Sequence, residues 1–131
     1  MERQHIEIYR HDGSGFKAQF SFEGWRVGLL CADTRFIDIS YLERHLLTDE
    51  AFALLSGKAA LITHGAAYEY TVMQSGVVYN IPKGLLHNIL VSDDATVIIM
   101  ENADTGKHNS EYEDFNAADI PADVMRAVRN I

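Results

Sequence analysis

Hydrophobic and polar residues alternate along most of the chain, in short runs that turn residues separate. In FKAQFSF, the residues Phe16, Ala18, Phe20 and Phe22 recur at every second position, which places them on one face of a strand. The other runs that predict strands are HIEIYR, WRVGLLCA, FIDISYLERHLL, AFALL, AALITHG, YEYTVM, VVYNI, LLHNILV and ATVIIMEN. Strands about ten residues apart, with no helices between them, predict an all-β sandwich or small barrel.

Two details of this pattern concern how the strands begin and connect. The apolar residues of FIDISYLERHLL alternate from Ile37 through Ile39 to Tyr41, which predicts a single strand over the stretch. Residues 56–58, with the sequence SGK, interrupt the apolar run AFALLSGKAALITHG. A short break of this kind predicts a β-hairpin.

The pattern changes after residue 102. The segment ADTGKHNSEYEDFNA has no clear period, and its acidic part, EYEDFNAAD, is interpreted as a solvated surface segment. The last residues, DIPADVMRAVRNI, predict a short C-terminal helix, because Pro121 suits a first helical turn. Val124, Met125 and Val128 form the apolar face of that helix.

Composition narrows the class of protein. A chain of 131 residues is long enough for one domain with a real core, and no apolar run approaches the ~20 residues that a membrane span needs. Its start, MERQHIEIYRHDG, resembles neither a signal peptide nor a transit peptide, so we expect a cytoplasmic protein. The net charge of −8, from 11 basic and 19 acidic residues, disfavours nucleic acids and anionic membranes as partners. The single cysteine, Cys31, lies in an apolar run and is interpreted as an inert thiol.

Four polar residues occupy places that a plain β core would not favour. Glu43 and His45 are two residues apart and therefore share a face, Glu50 follows His45 by five residues, and His87 lies on a later strand. Imidazole and carboxylate groups that converge inside a barrel suit a divalent metal such as Zn, Fe, Mn or Ni. Taken singly, His87 is better interpreted as a structural histidine with a backbone partner, and Glu50 can be a solvated residue.

The segment around His87 resembles one of the two conserved motifs of the cupin superfamily. That motif is a glycine, five residues, a proline, one residue, a glycine, two residues and a histidine. Gly76, Pro82, Gly84 and His87 stand at these positions in GVVYNIPKGLLH. The proline and the glycines form turns, and the histidine is the position that binds metal in the family.

The segment ERHLLTDEAFALLSG resembles the other cupin motif. His45 matches the second histidine of its His-x-His pair, Glu50 the glutamate that follows, and Gly57 the closing glycine. This chain departs from the pattern at two places: Glu43 stands where the first histidine is usual, and Ile37 replaces the opening glycine. The two motifs occur in order, with a short gap between them.

The resemblance implies a fold and a set of site residues. It implies a single cupin-type double-stranded β-helix, or jelly-roll barrel, over residues 1–131, with a core barrel at about 16–102 and a C-terminal extension with a short helix at about 103–131. It makes His45, Glu50 and His87 the metal ligands. Glu43 is then a fourth ligand, an acid or base beside the metal, or the mark of a weakened site.

The same resemblance leaves several functions open. One hypothesis is a metal-dependent enzyme that acts on a small molecule, of the dioxygenase, isomerase or epimerase kind. The alternative is a non-catalytic protein that binds or senses a small molecule. A storage role is less favoured, because storage cupins usually have two barrels. Small cupins commonly pair through strand edges, so we expect a homodimer.

Some further residues carry weaker predictions. Glu101 shares a face with Val97 and Ile99, so its carboxylate either enters the mouth of the cavity or ends the strand in water, and the sequence favours water. The other assignments are that Asp49 and His64 are exposed, that Tyr41, Tyr79 and Met73 belong to a pocket or to plain core, and that Trp25 belongs to the core or to a dimer interface.

Overall fold

A computed structural model describes residues 4–129 of the chain. Within that range it contains ten strands and two α-helices, with 3₁₀ turns at Lys107–Asn109 and Ala117–Asp119. The strands are β1 (Gly15–Phe22), β2 (Trp25–Cys31), β3 (Tyr41–His45), β4 (Glu50–Ser56), β5 (Ala59–His64), β6 (Tyr68–Val72), β7 (Val78–Ile81), β8 (Leu86–Val91), β9 (Thr96–Asn102) and β10 (Ser110–Asp114). The helices are α1 (Thr34–Ile37) and α2 (Ala122–Arg129).

The strands form two five-stranded antiparallel sheets. The front sheet has the order β1-β2-β9-β4-β7, and the back sheet has the order β10-β3-β8-β5-β6. From β3 onward the chain passes repeatedly from one sheet to the other, which is the connectivity of a jelly roll. The predicted all-β class with a short C-terminal helix is therefore confirmed.

Two layers of apolar side chains hold this architecture together. The layer between the sheets includes Leu30, Phe52 and Val97 from the front sheet, and Ile89 and Val91 from the back sheet. A second layer lies on the outer side of the back sheet, where α2 packs on β5 and β6. Strand β8 is buried along its whole length because it contributes to both layers.

The C-terminal helix agrees with its prediction. Val124 and Val128 are buried and Met125 is partly buried. Residues 130 and 131 of the predicted segment lie outside the described residues. No helix within residues 4–129 is long and apolar enough to cross a membrane.

The hairpin predicted at residues 56–58 is wrong. Strand β4 pairs with β7 and β9 in the front sheet, whereas β5 pairs with β6 and β8 in the back sheet. The SGK turn therefore carries the chain from one sheet to the other. Turn residues specify a reversal of direction, but the partner of each strand depends on long-range packing that a local pattern does not contain.

The strand predicted from Ile37 is also wrong at its start. Residues Thr34–Ile37 form one helical turn, because Asp33 caps it by accepting a hydrogen bond from the Arg35 backbone N–H. Strand β3 begins only at Tyr41, so Ile37 does not share the strand of Glu43.

A β-bulge overturns the single face predicted for the phenylalanines of β1. The register of β1 against β2 shifts between Ala18 and Phe20, and one extra residue sends every later side chain to the opposite side. Phe16 consequently lines the interior, whereas Phe20 stacks outside on Tyr9 with ring centroids 5.2 Å apart. The predicted strand HIEIYR does not form, since residues 5–10 have no strand structure.

The acidic segment near the C-terminus contains a strand that the pattern missed. Residues Glu111–Asp114 are exposed as predicted, but Ser110–Asp114 form β10 and pair with β3 at the edge of the back sheet. Charged side chains are usual on edge strands, so alternation gave no signal here.

Three residues discussed in the sequence analysis have intermediate or high exposure. Trp25 is 48% exposed, and Cys31 and His64 are partly exposed.

The turn at Gly57 gives a first test of the fold. Its φ is +73°, and a Cβ there would lie 2.5 Å from Ala95 Cα, whereas Gly76 has a φ of +83° and open space around it. We expect Gly57→Ala to lower the free energy of unfolding by about 3 kcal/mol, through strain and a backbone clash. Gly76→Ala is the matched control and loses about 1 kcal/mol, from the left-handed conformation alone. Equal losses in urea denaturation would contradict the close packing of this turn.

Candidate metal centre

The two sheets bring the four predicted residues to one end of the barrel. Glu43 and His45 come from β3, and His87, on β8, lies directly opposite Glu43 in the back sheet. Glu50 opens β4 in the front sheet. The short connection between His45 and Glu50 crosses from the back sheet to the front, so these side chains face each other across the interior.

The four side chains lie close enough to share one ion. Glu50 Oε1 is 3.0 Å from His45 Nε2 and 2.8 Å from His87 Nε2, and Glu43 Oε1 is 3.8 Å from His45 Nε2. One ligand atom from each residue lies within 4.8 Å of all the others. His45, Glu50 and His87 are buried, and Glu43 is partly exposed.

Outer hydrogen bonds orient both imidazole rings. His87 Nδ1 donates to Leu85 O at 2.9 Å, because a carbonyl can only accept. His45 Nδ1 donates to Ser110 Oγ at 2.9 Å, since the Ser110 hydroxyl in turn donates to Gly106 O at 2.7 Å. In the neutral rings both Nε2 atoms therefore carry lone pairs that point at Glu50. Metal-binding histidines have this arrangement, in which the second ring nitrogen is held by an outer acceptor.

A cation is needed where these three groups meet. Two lone pairs that point at one carboxylate oxygen from 3.0 and 2.8 Å are repelled by it unless protons or a metal ion lie between them. The donor set, two imidazoles and a carboxylate, fits Zn, Fe, Mn or Ni. The residues present thus fit the predicted metal, and protons supply the positive charge when no metal is bound.

The proton-bound form appears in the electrostatics of the site. Burial by itself raises the pKa of the Glu50 carboxyl, but hydrogen bonds from His45 and His87 outweigh burial and hold that pKa well below its usual range. Burial by itself lowers the pKa of His45, but the hydrogen bond and negative charge of Glu50 outweigh it and raise that pKa. Without a metal, the site therefore favours the ionised form of Glu50 and the protonated form of His45.

Glu43 differs from Glu50 in its environment. Burial and, after it, the negative charge of Glu50 raise the pKa of the Glu43 carboxyl. Its side chain is 28% exposed and borders the cavity. A carboxyl group with a raised pKa at the edge of such a site is suited to giving and taking protons.

The sequence favoured a Glu101 that ends its strand in water, and the structure shows that this is wrong. It is only 7% exposed and lies opposite both Glu50 and Arg26 in the front sheet. Arg26 Nε donates to Glu101 Oε2 at 2.6 Å. Burial, followed by the hydrogen bond with Glu50, raises the pKa of Glu101 to about 7 despite the guanidinium. Strand alternation placed Glu101 on the inner face, but it did not place Arg26 beside it.

The site opens into a cavity of about 810 Å³. Its wall combines apolar side chains with cations and phenols. The apolar residues are Phe16, Leu30, Phe36, Phe52, Ile89 and Ile99, and the polar ones beyond the site include Arg26, Arg35, Tyr41, Lys107 and Tyr112. The sequence left open whether three residues belong to a pocket or to the core. Tyr41 lines the cavity, Met73 is buried in the core and Tyr79 packs against that core.

Turn residues fix the positions of the histidines. Asp49 is exposed, as predicted, but its carboxylate accepts hydrogen bonds from Asn80 Nδ2 at 3.0 Å and Lys83 N at 2.8 Å. The Gly84 backbone N–H donates to His45 O at 2.8 Å. These bonds tie the segment before Glu50 to the turn before His87. Sequence reasoning assigned Asp49 no such role, since nothing local indicates its partners.

Two other residues of the site gave no usable signal in the sequence. Ser110, which orients His45, lies in the aperiodic tract. Asn88 donates from Nδ2 to Tyr41 O at 2.9 Å, which joins β8 to β3 where their ladder is short. Both roles depend on contacts between strands far apart in the chain.

Known structures share this architecture. A cupin-2 domain protein of Shewanella frigidimarina superimposes with a TM-score of 0.56 and 19% identity, over 72% of this chain and 84% of that one. Streptomyces Pac13 with uridine gives a TM-score of 0.63 and 6% identity, over 87% of this chain and 95% of that one. The chain has the cupin fold.

A larger protein shares this cupin fold as well. CapF of Staphylococcus aureus, a capsular polysaccharide assembling protein, gives a TM-score of 0.60 and 21% identity over 82% of this chain. This chain spans about a third of CapF, namely 34% of its length. No protein-family model and no curated protein matches the sequence. The fold implied by the two motifs is confirmed, and the metal and substrate stay predictions.

The pair of Glu101 and Glu50 predicts how stability depends on pH. Glu101 has a pKa of about 7 in the folded protein against an ordinary value of 4.5, so it stabilises the fold below pH 4.5 and loses that contribution as the pH rises to about 7. We expect the metal-stripped protein to lose about 2 kcal/mol of unfolding free energy across this window through Glu101. Glu101→Gln imitates the protonated group and removes this part of the slope in denaturant titrations.

The exposed Glu69 provides the matched control for this pH dependence. Glu69→Gln makes the same change of charge on β6, away from the site, and should leave the slope of unfolding free energy against pH unchanged. An unchanged slope in Glu101→Gln would show that the Glu101 carboxyl is already ionised in the folded protein.

Proposed function

We propose that His45, Glu50 and His87 bind one divalent cation, Fe, Mn, Ni or Zn, and that the protein is an enzyme acting on a small organic molecule in the adjoining cavity. The observation that carries the proposal is the convergence of two oriented imidazole Nε2 atoms on one buried carboxylate oxygen, at 3.0 and 2.8 Å. Outer hydrogen bonds on both Nδ1 atoms support a role as ligands.

The chain's own residues suggest how such a substrate is held. A bound metal would polarise a substrate oxygen as a Lewis acid. The apolar wall, including Phe36, Phe52 and Ile99, excludes water from the carbon skeleton, and its volume of about 810 Å³ suits a molecule of metabolite size. Tyr41 and Tyr112 contribute hydroxyl groups on the side of Glu43.

Among the reactions left open, the position of Glu43 favours proton transfer, as in an isomerase or epimerase. Glu43 Oε1 is 3.8 Å from His45 Nε2 and borders the cavity, and burial keeps its pKa raised. An acid or base so placed can move a proton at a carbon next to a polarised oxygen. The fold neighbour Pac13, named as a nucleoside dehydratase, supports a small-molecule reaction of this general kind. A dioxygenase uses the same ligand set but has no need of Glu43.

One observation favours the second candidate, a non-catalytic protein that binds or senses a small molecule. Glu50 Oε1 lies within hydrogen-bonding distance of both Nε2 atoms, 3.0 Å from His45 and 2.8 Å from His87, so hydrogen bonds can also hold these three side chains together. The three side chains would then form the polar end of an otherwise apolar pocket when no metal is bound. The glutamate at position 43, in place of the usual histidine, agrees with a weaker metal site.

Elemental analysis separates these two functions. We expect about one metal ion per chain in the purified protein, and loss of that metal in His45→Ala and His87→Ala, because each removes a ligand from a three-ligand set. His64→Ala is the matched control, since His64 meets the Tyr68 ring edge to face and is not among the four residues of the site. Absence of metal even after reconstitution with Fe, Mn, Ni and Zn would overturn the enzyme proposal and favour the binding protein.

Glu43→Gln tests the proposed proton transfer. We expect the variant to keep its metal, while proton exchange at carbon in a panel of hydroxycarbonyl compounds falls about a hundredfold or more. Deuterium uptake from D₂O, followed by NMR, measures the exchange, and Glu69→Gln should behave as the unaltered protein. Loss of metal in Glu43→Gln would make Glu43 a fourth ligand. If the iron-loaded protein consumes oxygen and Glu43→Gln consumes it at the same rate, the result would instead favour a dioxygenase.

A further inference from the structure

The outer face of the front sheet is apolar. Arg26 and Leu30 on β2 line the cavity, so Val27 and Leu29, which alternate with them, point outward. Val97 and Ile99 on β9 belong to the core, so Ile98 and Met100 point outward as well. The register places Val27 beside Met100 and Leu29 beside Ile98. Together with Trp25 and Val78 these four residues define what we call the outer patch.

The chain leaves this patch uncovered within residues 4–129. Trp25 is 48% exposed and Val78 is 65% exposed, and the four central residues are partly exposed. The corresponding side of the back sheet is covered, because α2 packs on β5 and β6 and inserts Val124 and Val128. A sheet with two apolar faces needs a covering layer on each. The front sheet has only its inner one.

The outer patch carries almost no charge. Lys17 is the single charged residue among the outward-facing residues in the ladders of the front sheet, although charged residues make up 23% of the whole chain. Two copies with a net charge of −8 each repel through most of their surfaces. They can approach most favourably through a face without carboxylates.

The N-terminal arm reaches the same face. Tyr9 stacks on Phe20 at 5.2 Å, and Phe20 meets the edge of Trp25 at 6.0 Å. Ile6 and Ile8, further along the arm, are 89% and 75% exposed. Apolar side chains that project from an extended arm beside an apolar sheet face indicate a partner surface at that place.

We propose that two copies of the chain pack outer patch against outer patch in a two-fold dimer, with the arm of each copy lying on the other. A two-fold interface joins the same surface of both copies, and a patch without charged side chains can face its own copy without repulsion. The five strands of the front sheet have four to eight residues each. At a spacing of about 4.8 Å and about 3.3 Å per residue they present roughly 500 Å² in projection. A stable dimer buries about 800 Å² on each partner, and the arms supply the remainder. This arrangement is face to face, whereas the sequence led us to expect pairing through strand edges.

The only tryptophan reports on the proposed interface. Trp25 lies in the outer patch, so its fluorescence follows burial of the patch without any substitution. We expect sedimentation of the full chain to give twice its 14.7 kDa mass, with Trp25 poorly quenched by acrylamide. On dilution, emission should shift to the red and quenching should rise at the concentration where the mass falls to that of one chain.

Charged substitutions locate the interface on the outer patch. Val27→Glu and Ile98→Glu each place an unpaired carboxylate at the centre of the contact and should raise the dimer dissociation constant by about a hundredfold or more. Val72→Glu makes the same kind of change on β6 of the back sheet, where Val72 is 43% exposed, and should leave the dimer intact. Metal content should be unchanged in all three variants, so the outcome is independent of the proposed metal site.

Three results would overturn the proposed dimer. The first is a monomeric mass at about 100 μM, a concentration at which a stable dimer of this size persists. The second is a dimer that Val27→Glu and Ile98→Glu do not weaken. The third is a dimer in which acrylamide quenches Trp25 as easily as in the unfolded chain. If a glutamate variant fails to fold, the dilution series on the unaltered protein decides by itself. A monomer that instead binds neutral liposomes would assign the patch to a lipid surface.

Discussion

The contact between one buried carboxylate and two imidazoles organises this protein. Glu50 belongs to the front sheet and His45 and His87 to the back sheet, so their hydrogen bonds join the two walls of the barrel at one end. A buried carboxylate is costly unless it is paired and hydrogen-bonded. The surrounding structure meets that condition, since the turn at Gly84 and the outer acceptors of both rings hold the partners in place.

Three charged side chains, beginning with Glu50, lie in a row across the front sheet. Glu50, Glu101 and Arg26 occupy neighbouring positions on β4, β9 and β2. The Arg26 guanidinium also donates to Thr105 O at 2.8 Å. The residue that balances the charge of Glu101 therefore also holds the segment that leads to Ser110, the partner of His45. These contacts therefore connect Glu50 to Arg26, which lines the cavity.

The remaining architecture distributes apolar cover unequally. The back sheet receives α2 on its outer side, and β8, the strand that carries His87, is buried along its whole length between the two apolar layers. The front sheet receives no such element within residues 4–129, and its outer patch stays partly exposed. The cavity and the outer patch thus lie on opposite faces of the front sheet, and β2 contributes Arg26 to the cavity wall and Val27 to the outer patch.

The sequence by itself determined the strand rhythm, the C-terminal helix and the four residues that meet in the site, because alternation and motif spacing are local properties. It misjudged the bulge in β1, the partner of β4 and the helical turn at Thr34–Ile37, since register and pairing depend on contacts between distant segments. Only the tertiary structure placed Glu101 beside Glu50, Arg26 beside Glu101 and Ser110 beside His45. Burial, charge balance and the pKa of a carboxyl arise from neighbours in space, and strand pairing decides those neighbours.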